Sequence, residues 1–176
     1  MQRIISDEAG IELVGMASSR GIISEIDLNK VLTLNKESGK SIISILFDLK
    51  LMDEYSLAKL VADNYGLKFE EVDPNNINPE AQKKVSDLYI QSNSIFPIDF
   101  ENEVLKVAIC DQTKLNLEKN LKLITGLNIE LILVTIKNLE QLFVKAGIDI
   151  IATQDLALHG SFRKKQEEDL ATKEQV

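Results

Sequence analysis

Apolar residues recur at helical spacing through the first third of the chain, then give way to alternation. Residues 8 to 18 predict a short helix with Ile11, Leu13, Val14 and Ala17 on its apolar side. Gly21 follows as its stop, since a left-handed residue past the last turn satisfies the final carbonyls. Ser24 is placed to cap a second helix, with Glu25 and Asp27 where the positive end of the helix dipole favours acids. Leu28, Val31, Leu32 and Leu34 continue that helix until Gly39. Ser41 to Leu49 predicts a third helix, with Ile42, Ile43, Ile45, Leu46 and Leu49 inside. Asp53 is set to cap a fourth, whose inner face is Leu57, Leu60 and Val61 and whose end is Asn64-Tyr65-Gly66. The expectation is two helical hairpins between residues 8 and 66.

These hairpins are related by a weak repeat of 29 residues. Ile23, Ser24, Glu25 and Leu28 pair with Met52, Asp53, Glu54 and Leu57. Lys30, Val31, Leu32 and Asn35 pair with Lys59, Leu60, Val61 and Asn64, and upstream Leu13, Val14 and Ala17 match Ile42, Ile43 and Leu46. A period of this size marks one helical supersecondary unit used twice.

The pattern breaks at Val72-Asp73-Pro74-Asn75-Asn76-Ile77-Asn78-Pro79, a turn cluster rich in Pro and Asn. Pro79 and Glu80 suit a helix start, predicting a short helix through Val85. Ser94 to Phe100 alternates Ile95, Pro97 and Asp99 against Phe96, Ile98 and Phe100, which predicts a strand. Glu101-Asn102-Glu103 is a three-residue polar turn into a second strand, Val104 to Cys110, so a hairpin is expected. Leu115 to Thr125 reads as a helix with Leu117, Leu121 and Ile124 inside. Ile129 to Val134 is a β-branched run, and Ile136 to Lys145 a closing amphipathic helix. The fold class is therefore α+β: an N-terminal bundle of two short helical hairpins (8–72), then a small layered α/β subdomain (73–150). Residues 151–176, with the dense charge of Arg163-Lys164-Lys165-Gln166-Glu167-Glu168-Asp169, read as a linker or disordered tail.

Composition narrows the function classes. Aromatic residues make up 5% and Trp is absent, so Leu, Ile and Val must fill the core. A net charge of −8 argues against a general nucleic-acid binder, which would show a basic face, while leaving a local basic patch open. The basic tract at Arg163 to Lys165 is offset at once by acids. The lone Cys110 cannot form an internal disulfide, and one Cys with one His cannot make a Cys/His zinc site. The first eight residues have no apolar signal core, and no apolar run reaches bilayer length, so a cytoplasmic setting is expected.

Catalytic motifs are incomplete. Ser38-Gly39-Lys40-Ser41 resembles the end of a phosphate-binding loop, but the earlier glycine position holds Leu34 and the motif follows a helix instead of a strand. His159 lies in the tail beside Gly160 with no orienting partner in view. Cys110 reads as a buried structural thiol. Asp73, Asp99 and Asp111 fall at turns, where Asp is preferred for its own hydrogen bonding. No cofactor and no metal are expected, and the chain reads as a binding module and not an enzyme.

The order of these segments resembles the N-terminal domain of the assembly ATPases of type II secretion and type IV pilus systems. Ser24 to Leu32 and Asp53 to Val61 fill the two repeat helices of that family, and Glu37-Ser38-Gly39-Lys40 fills the turn between repeats. Asn64-Tyr65-Gly66-Leu67-Lys68-Phe69-Glu70-Glu71-Val72 matches its exit from the repeats. Ile95-Phe96-Pro97-Ile98 with Leu105-Lys106-Val107-Ala108-Ile109 and Asp111 matches its hairpin, and Leu123-Ile124-Thr125-Gly126-Leu127 its helix end. The resemblance spans about residues 8 to 147. It implies a non-catalytic docking and regulatory domain, cytoplasmic and held at the inner membrane through a partner. The implied partners are the cytoplasmic domain of a membrane platform protein and the ATPase domain of the same or a partner chain.

Some members of that family bind cyclic di-GMP through the repeats, using an Arg and a Gly at each repeat start and a Gln at its end. The resemblance places ligand-contacting positions at Leu13, Leu28, Leu32 and Asn35 in the first repeat and at Ile42, Leu57 and Asn64 in the second. The Arg positions hold Glu12 and Ser41, the Gly positions Val14 and Ile43, and the Gln positions Asn35 and Asn64. The middle Gly is kept as Gly21 but becomes Lys50. A phosphate site needs the Arg charge and close backbone approach at Gly. The expectation is a scaffold that has lost the dinucleotide, with a cyclic di-GMP sensor as the alternative.

Overall fold

The computed structural model describes residues 4–149. The tail readings, including His159 and Arg163 to Lys165, lie outside the described residues.

The four repeat helices are α1 (Asp7–Ser19), α2 (Glu25–Ser38), α3 (Ile42–Asp48) and α4 (Glu54–Tyr65). Ser6, Ser24, Ser41 and Asp53 cap them, each side-chain oxygen accepting from the backbone N–H three residues on. Each such cap contributes about 1 kcal/mol and fixes where its helix begins. The repeat extends to individual hydrogen bonds. Arg20 N–H donates to Met16 O at 3.1 Å and Leu49 N–H to Ile45 O at 2.9 Å. Ile22 N–H donates to Ala17 O at 2.9 Å and Leu51 N–H to Leu46 O at 3.0 Å. Both turns require a left-handed residue, supplied by Gly21 (φ +71°) in the first repeat and Lys50 (φ +55°) in the second.

Ile11 corrects the expected face of α1: it is 50% exposed, while Ala9, Gly10, Leu13, Val14 and Ala17 are buried. The stripe is centred on Gly10 because α3 crosses there. A Cβ on Gly10 would sit 2.9 Å from Ile42 Cβ. That approach places the two helices closer than any side chain at position 10 allows.

The second half comprises β1 (Lys68–Phe69), a 3-10 turn at Pro74–Asn76, α5 (Pro79–Lys83), α6 (Asp87–Asn93), β2 (Phe96–Glu101) and β3 (Val104–Ile109). A 3-10 turn at Gln112–Asn116, α7 (Leu117–Thr125), β4 (Asn128–Leu133) and α8 (Ile136–Ala146) follow. The sheet order is β1-β4-β3-β2, with β2–β3 antiparallel and both β3–β4 and β4–β1 parallel. The architecture is α+β, as expected.

Three local readings are corrected. The hairpin loop has two residues, not three: Glu101 pairs with Val104, and Asn102 and Glu103 both take positive φ (51° and 61°), as a primed turn requires. A register shift between Pro97 and Asp99 breaks the alternation in β2, so Phe96, Pro97 and Ile98 are all buried. Ile124 is 53% exposed, and Leu121 is the buried residue of α7. Helix α6 was not expected. Ser86 caps it, but Ile90 is its sole buried residue, so it carries no periodic stripe.

Contacts cross the expected boundary at 72/73. β1 precedes it yet pairs with β4. Asn138 both donates to Val72 O (2.8 Å) and accepts from Val72 N–H (2.9 Å). Gln112 Nε2 donates to Ala9 O, and Glu54 accepts from Lys137 N–H at the start of α8. The buried apolar residues of both halves form one cluster. Among the described residues, no helix is long and apolar enough to cross a membrane.

Candidate binding surface of the helical repeats

The seven positions carried over by resemblance separate into two groups. Leu13, Ile42 and Leu57 are buried at 0%, 0% and 3% exposure and belong to the core. Leu28, Leu32 and Asn35 are half-buried and Asn64 is exposed. Asn35 and Ile42 are brought together by Asp7, an unforeseen residue: its carboxylate accepts from Asn35 Nδ2 and from Ile42 N–H, both at 3.1 Å. Asn35 Nδ2 also donates to Lys40 O at 2.8 Å.

The polar positions at the other end are similarly engaged. The Arg20 guanidinium donates to Asn64 Oδ1, tying the end of α1 to the end of α4. The Tyr65 hydroxyl donates to Glu12, which stands where the resemblance expects an arginine. Desolvation, then the Glu12 carboxylate, pushes the Tyr65 pKa up to about 12. Opposed anions would face each other if the phenol ionised. These partners are separated by 44 and 53 residues, so no local pattern announces them.

An apolar cleft opens at the turn between α3 and α4. It encloses about 760 Å³ and is lined by Phe47, Lys50, Leu51, Met52 and the stretch Asp53 to Ser56. Tyr55 is 62% exposed, with its ring edge-on to Phe69 at 5.5 Å between centroids. The signal for it was present in the repeat, because Tyr55 stands 29 residues after the exposed Ile26. A smaller depression of about 300 Å³ lies beside Asp99, Glu101, Lys106 and Glu130 of the sheet. Next to it Glu70 bridges Lys68 and Lys106, both at 2.9 Å, and these ammonium groups hold its pKa below the usual carboxylate value.

The catalytic fragments take structural roles. Gly39 closes α2, its N–H bonding Asn35 O, and Ser41 caps α3, so Ser38 to Ser41 joins two helices. Lys40 pairs with Asp48 at 3.5 Å. Cys110 is buried, with Sγ 3.5 Å from Thr135 O, and desolvation pushes its thiol pKa well up. Asp73 caps a 3-10 turn by accepting from Asn75 N–H, and Asp99 accepts from Phe100 N–H. Asp111 caps the other 3-10 turn through Thr113, and burial raises its pKa. Its Oδ2 and Gln112 Oε1 are buried without a protein partner. Among the described residues, no three His, Cys, Asp or Glu side chains gather as metal ligands would.

A tandem helical repeat is joined through one core to a small mixed sheet, in a protein of the α+β class. Residues 65–147 match the family model of the MshEN domain. The fold is also that of two solved structures. One is a structure of MshE with cdg: 18% identity, TM-score 0.60, covering 78% of this chain and 98% of that one. The other is the N-terminal domain of XpsE: 22% identity, TM-score 0.54, covering 80% of this chain and 96% of that one. The expected resemblance to the N-terminal domains of secretion and pilus ATPases is borne out in the fold and, over residues 65–147, by the family model. No curated protein matches the chain.

Proposed function

We propose that this chain is a non-catalytic docking and regulatory domain of a type II secretion or type IV pilus assembly ATPase. In this reading it attaches the motor to the cytoplasmic part of the inner-membrane platform protein. It works in the cytoplasm and is peripheral to the membrane through that partner.

The observation that carries this reading is how the repeat's polar positions are used. Glu12 holds Tyr65, Arg20 holds Asn64, and Asn35 holds Asp7 and Lys40 O. A diphosphate ligand needs cations and free backbone donors at these places. Here Glu12 would repel it, and the positions that would let backbone approach hold Val14 and Ile43. Leu13, Ile42 and Leu57 serve the core and need no ligand to explain them.

The second reading, a cyclic di-GMP sensor, is favoured by the fold shared with the structure of MshE with cdg. Titration calorimetry separates the two. Docking without the dinucleotide gives no saturable heat with cyclic di-GMP up to roughly 100 μM, a concentration that fills sites of micromolar Kd. A saturable isotherm in that range would replace the docking reading with the sensor.

A further inference from the structure

We propose that the cleft at the α3–α4 turn receives an amphipathic helix of the docking partner, its apolar stripe on Tyr55 and its flanks basic. This deepens the docking function and rests on it.

The cleft's lining combines apolar and charged side chains. Phe47, Leu51, Met52 and Tyr55 supply the apolar lining. Tyr55 exposes 62% of its surface on the first turn of α4, where its ring is already braced by Phe69. An aromatic ring fixed in advance loses little freedom on binding, which is why Tyr anchors interfaces. At about 760 Å³ the cleft has room for several side chains, the number a helix presents at i, i+3 or i+4, and i+7.

The repeat provides an independent argument. Where folding needs apolar residues, both copies bury them: Ile23 and Met52 are 5% and 6% exposed. At position 26 and its counterpart 55 both copies leave an apolar residue exposed, whereas Ile22 is exposed and its counterpart Leu51 packs partly against the core. Ile22 and Ile26 are 47% and 80% exposed, and their counterparts Leu51 and Tyr55 line the cleft. Ile26 and Tyr55, kept exposed at equivalent positions in two divergent copies, do nothing for the core, and Tyr55 lies beside the other apolar residues of the cleft as a contact site requires.

Charge selects the occupant. The cleft's lining carries two carboxylates, Asp53 and Glu54, against one ammonium, Lys50. Asp53 stays ionised because the Ser56 backbone N–H and hydroxyl hold its pKa down. The chain's net charge of −8 has the same sign. This field attracts a basic helix and repels an anionic lipid surface.

The test titrates the platform protein's cytoplasmic domain into the full chain carrying Tyr55→Ser, and into Leu123→Ser as an equal loss of exposed apolar surface on α7. Leu123 is 83% exposed and lies outside the cleft. Circular dichroism on each variant confirms that it is folded. The inference requires at least a tenfold weaker Kd for Tyr55→Ser, none for Leu123→Ser, and a wild-type affinity that falls with salt. Wild-type binding that Tyr55→Ser leaves intact overturns the cleft while docking stands. Absence of wild-type binding overturns docking and the cleft with it. Tyr55-dependent binding to phosphatidylglycerol vesicles, in place of the protein, overturns the helical occupant.

Discussion

Replacing Gly10 by alanine sets two opposed effects against each other at one atom. Alanine in a helix interior is worth about 1 kcal/mol over glycine, because it leaves less backbone freedom to lose. At Gly10 the new methyl would lie 2.9 Å from Ile42 Cβ and 3.2 Å from its Cγ2. Ile42 Cβ cannot swing aside, since it is fixed by the α3 backbone, whose first N–H is held by Asp7. The two helices must separate, and overpacking of this kind costs about 1–3 kcal/mol. The expected net result is a loss of about 1 kcal/mol. Gly15 is the internal control, lying in the same helix with nothing within 4 Å of its Cβ position. Gly15→Ala gains about 0.5–1 kcal/mol with no opposing contact. The two variants therefore differ by about 2 kcal/mol, or roughly 1 M in urea midpoint at a slope of about 2 kcal/mol/M. Equal midpoints with unchanged slopes would refute the close α1–α3 approach.

Lys50→Gly places glycine where φ is +55°, relieving left-handed strain of about 1–2 kcal/mol against glycine's entropic cost, so the thermal midpoint should rise. No rise would mean that Lys50 is unstrained there. The buried Cys110 should resist an aromatic disulfide reagent in the native protein and react in denaturant at the rate of a free thiol; fast native reaction would contradict its burial. Tyr65 ionises at about 12 in the fold and near 10 when unfolded, so its stabilising contribution is complete below pH 10 and is lost as pH rises through 12. Ultraviolet titration should show a late phenol that Tyr65→Phe removes; a titration curve from which Tyr65→Phe removes no late step would sink the Glu12 contact.

Much of the helical half was legible because capping is local chemistry. Ser24, Ser41 and Asp53 mark their helices from sequence, and Gly39 and Gly66 close theirs. The 29-residue period held down to single hydrogen bonds, since each turn needs the same left-handed residue. Ile11 misled because a helical period shows where apolar residues can face the core, and the centre of the α1 stripe is a glycine chosen for its absence of bulk. Helix α6 was hidden by its length and by its single buried residue. The loop count at Asn102 and Glu103 turned on whether Glu101 joins the ladder, which neighbouring strands decide. The candidate surface was least legible. Arg20 with Asn64 and Tyr65 with Glu12 are side-chain meetings across the bundle, and the apolar residues of the cleft read in sequence like any others.

The most direct measurement is a calorimetric titration of the platform protein's cytoplasmic domain into the wild-type chain, with and without cyclic di-GMP. Docking independent of the dinucleotide gives saturable one-to-one binding whose affinity is the same in both titrations. No binding in either titration, or binding that appears only once the dinucleotide is added, would contradict it.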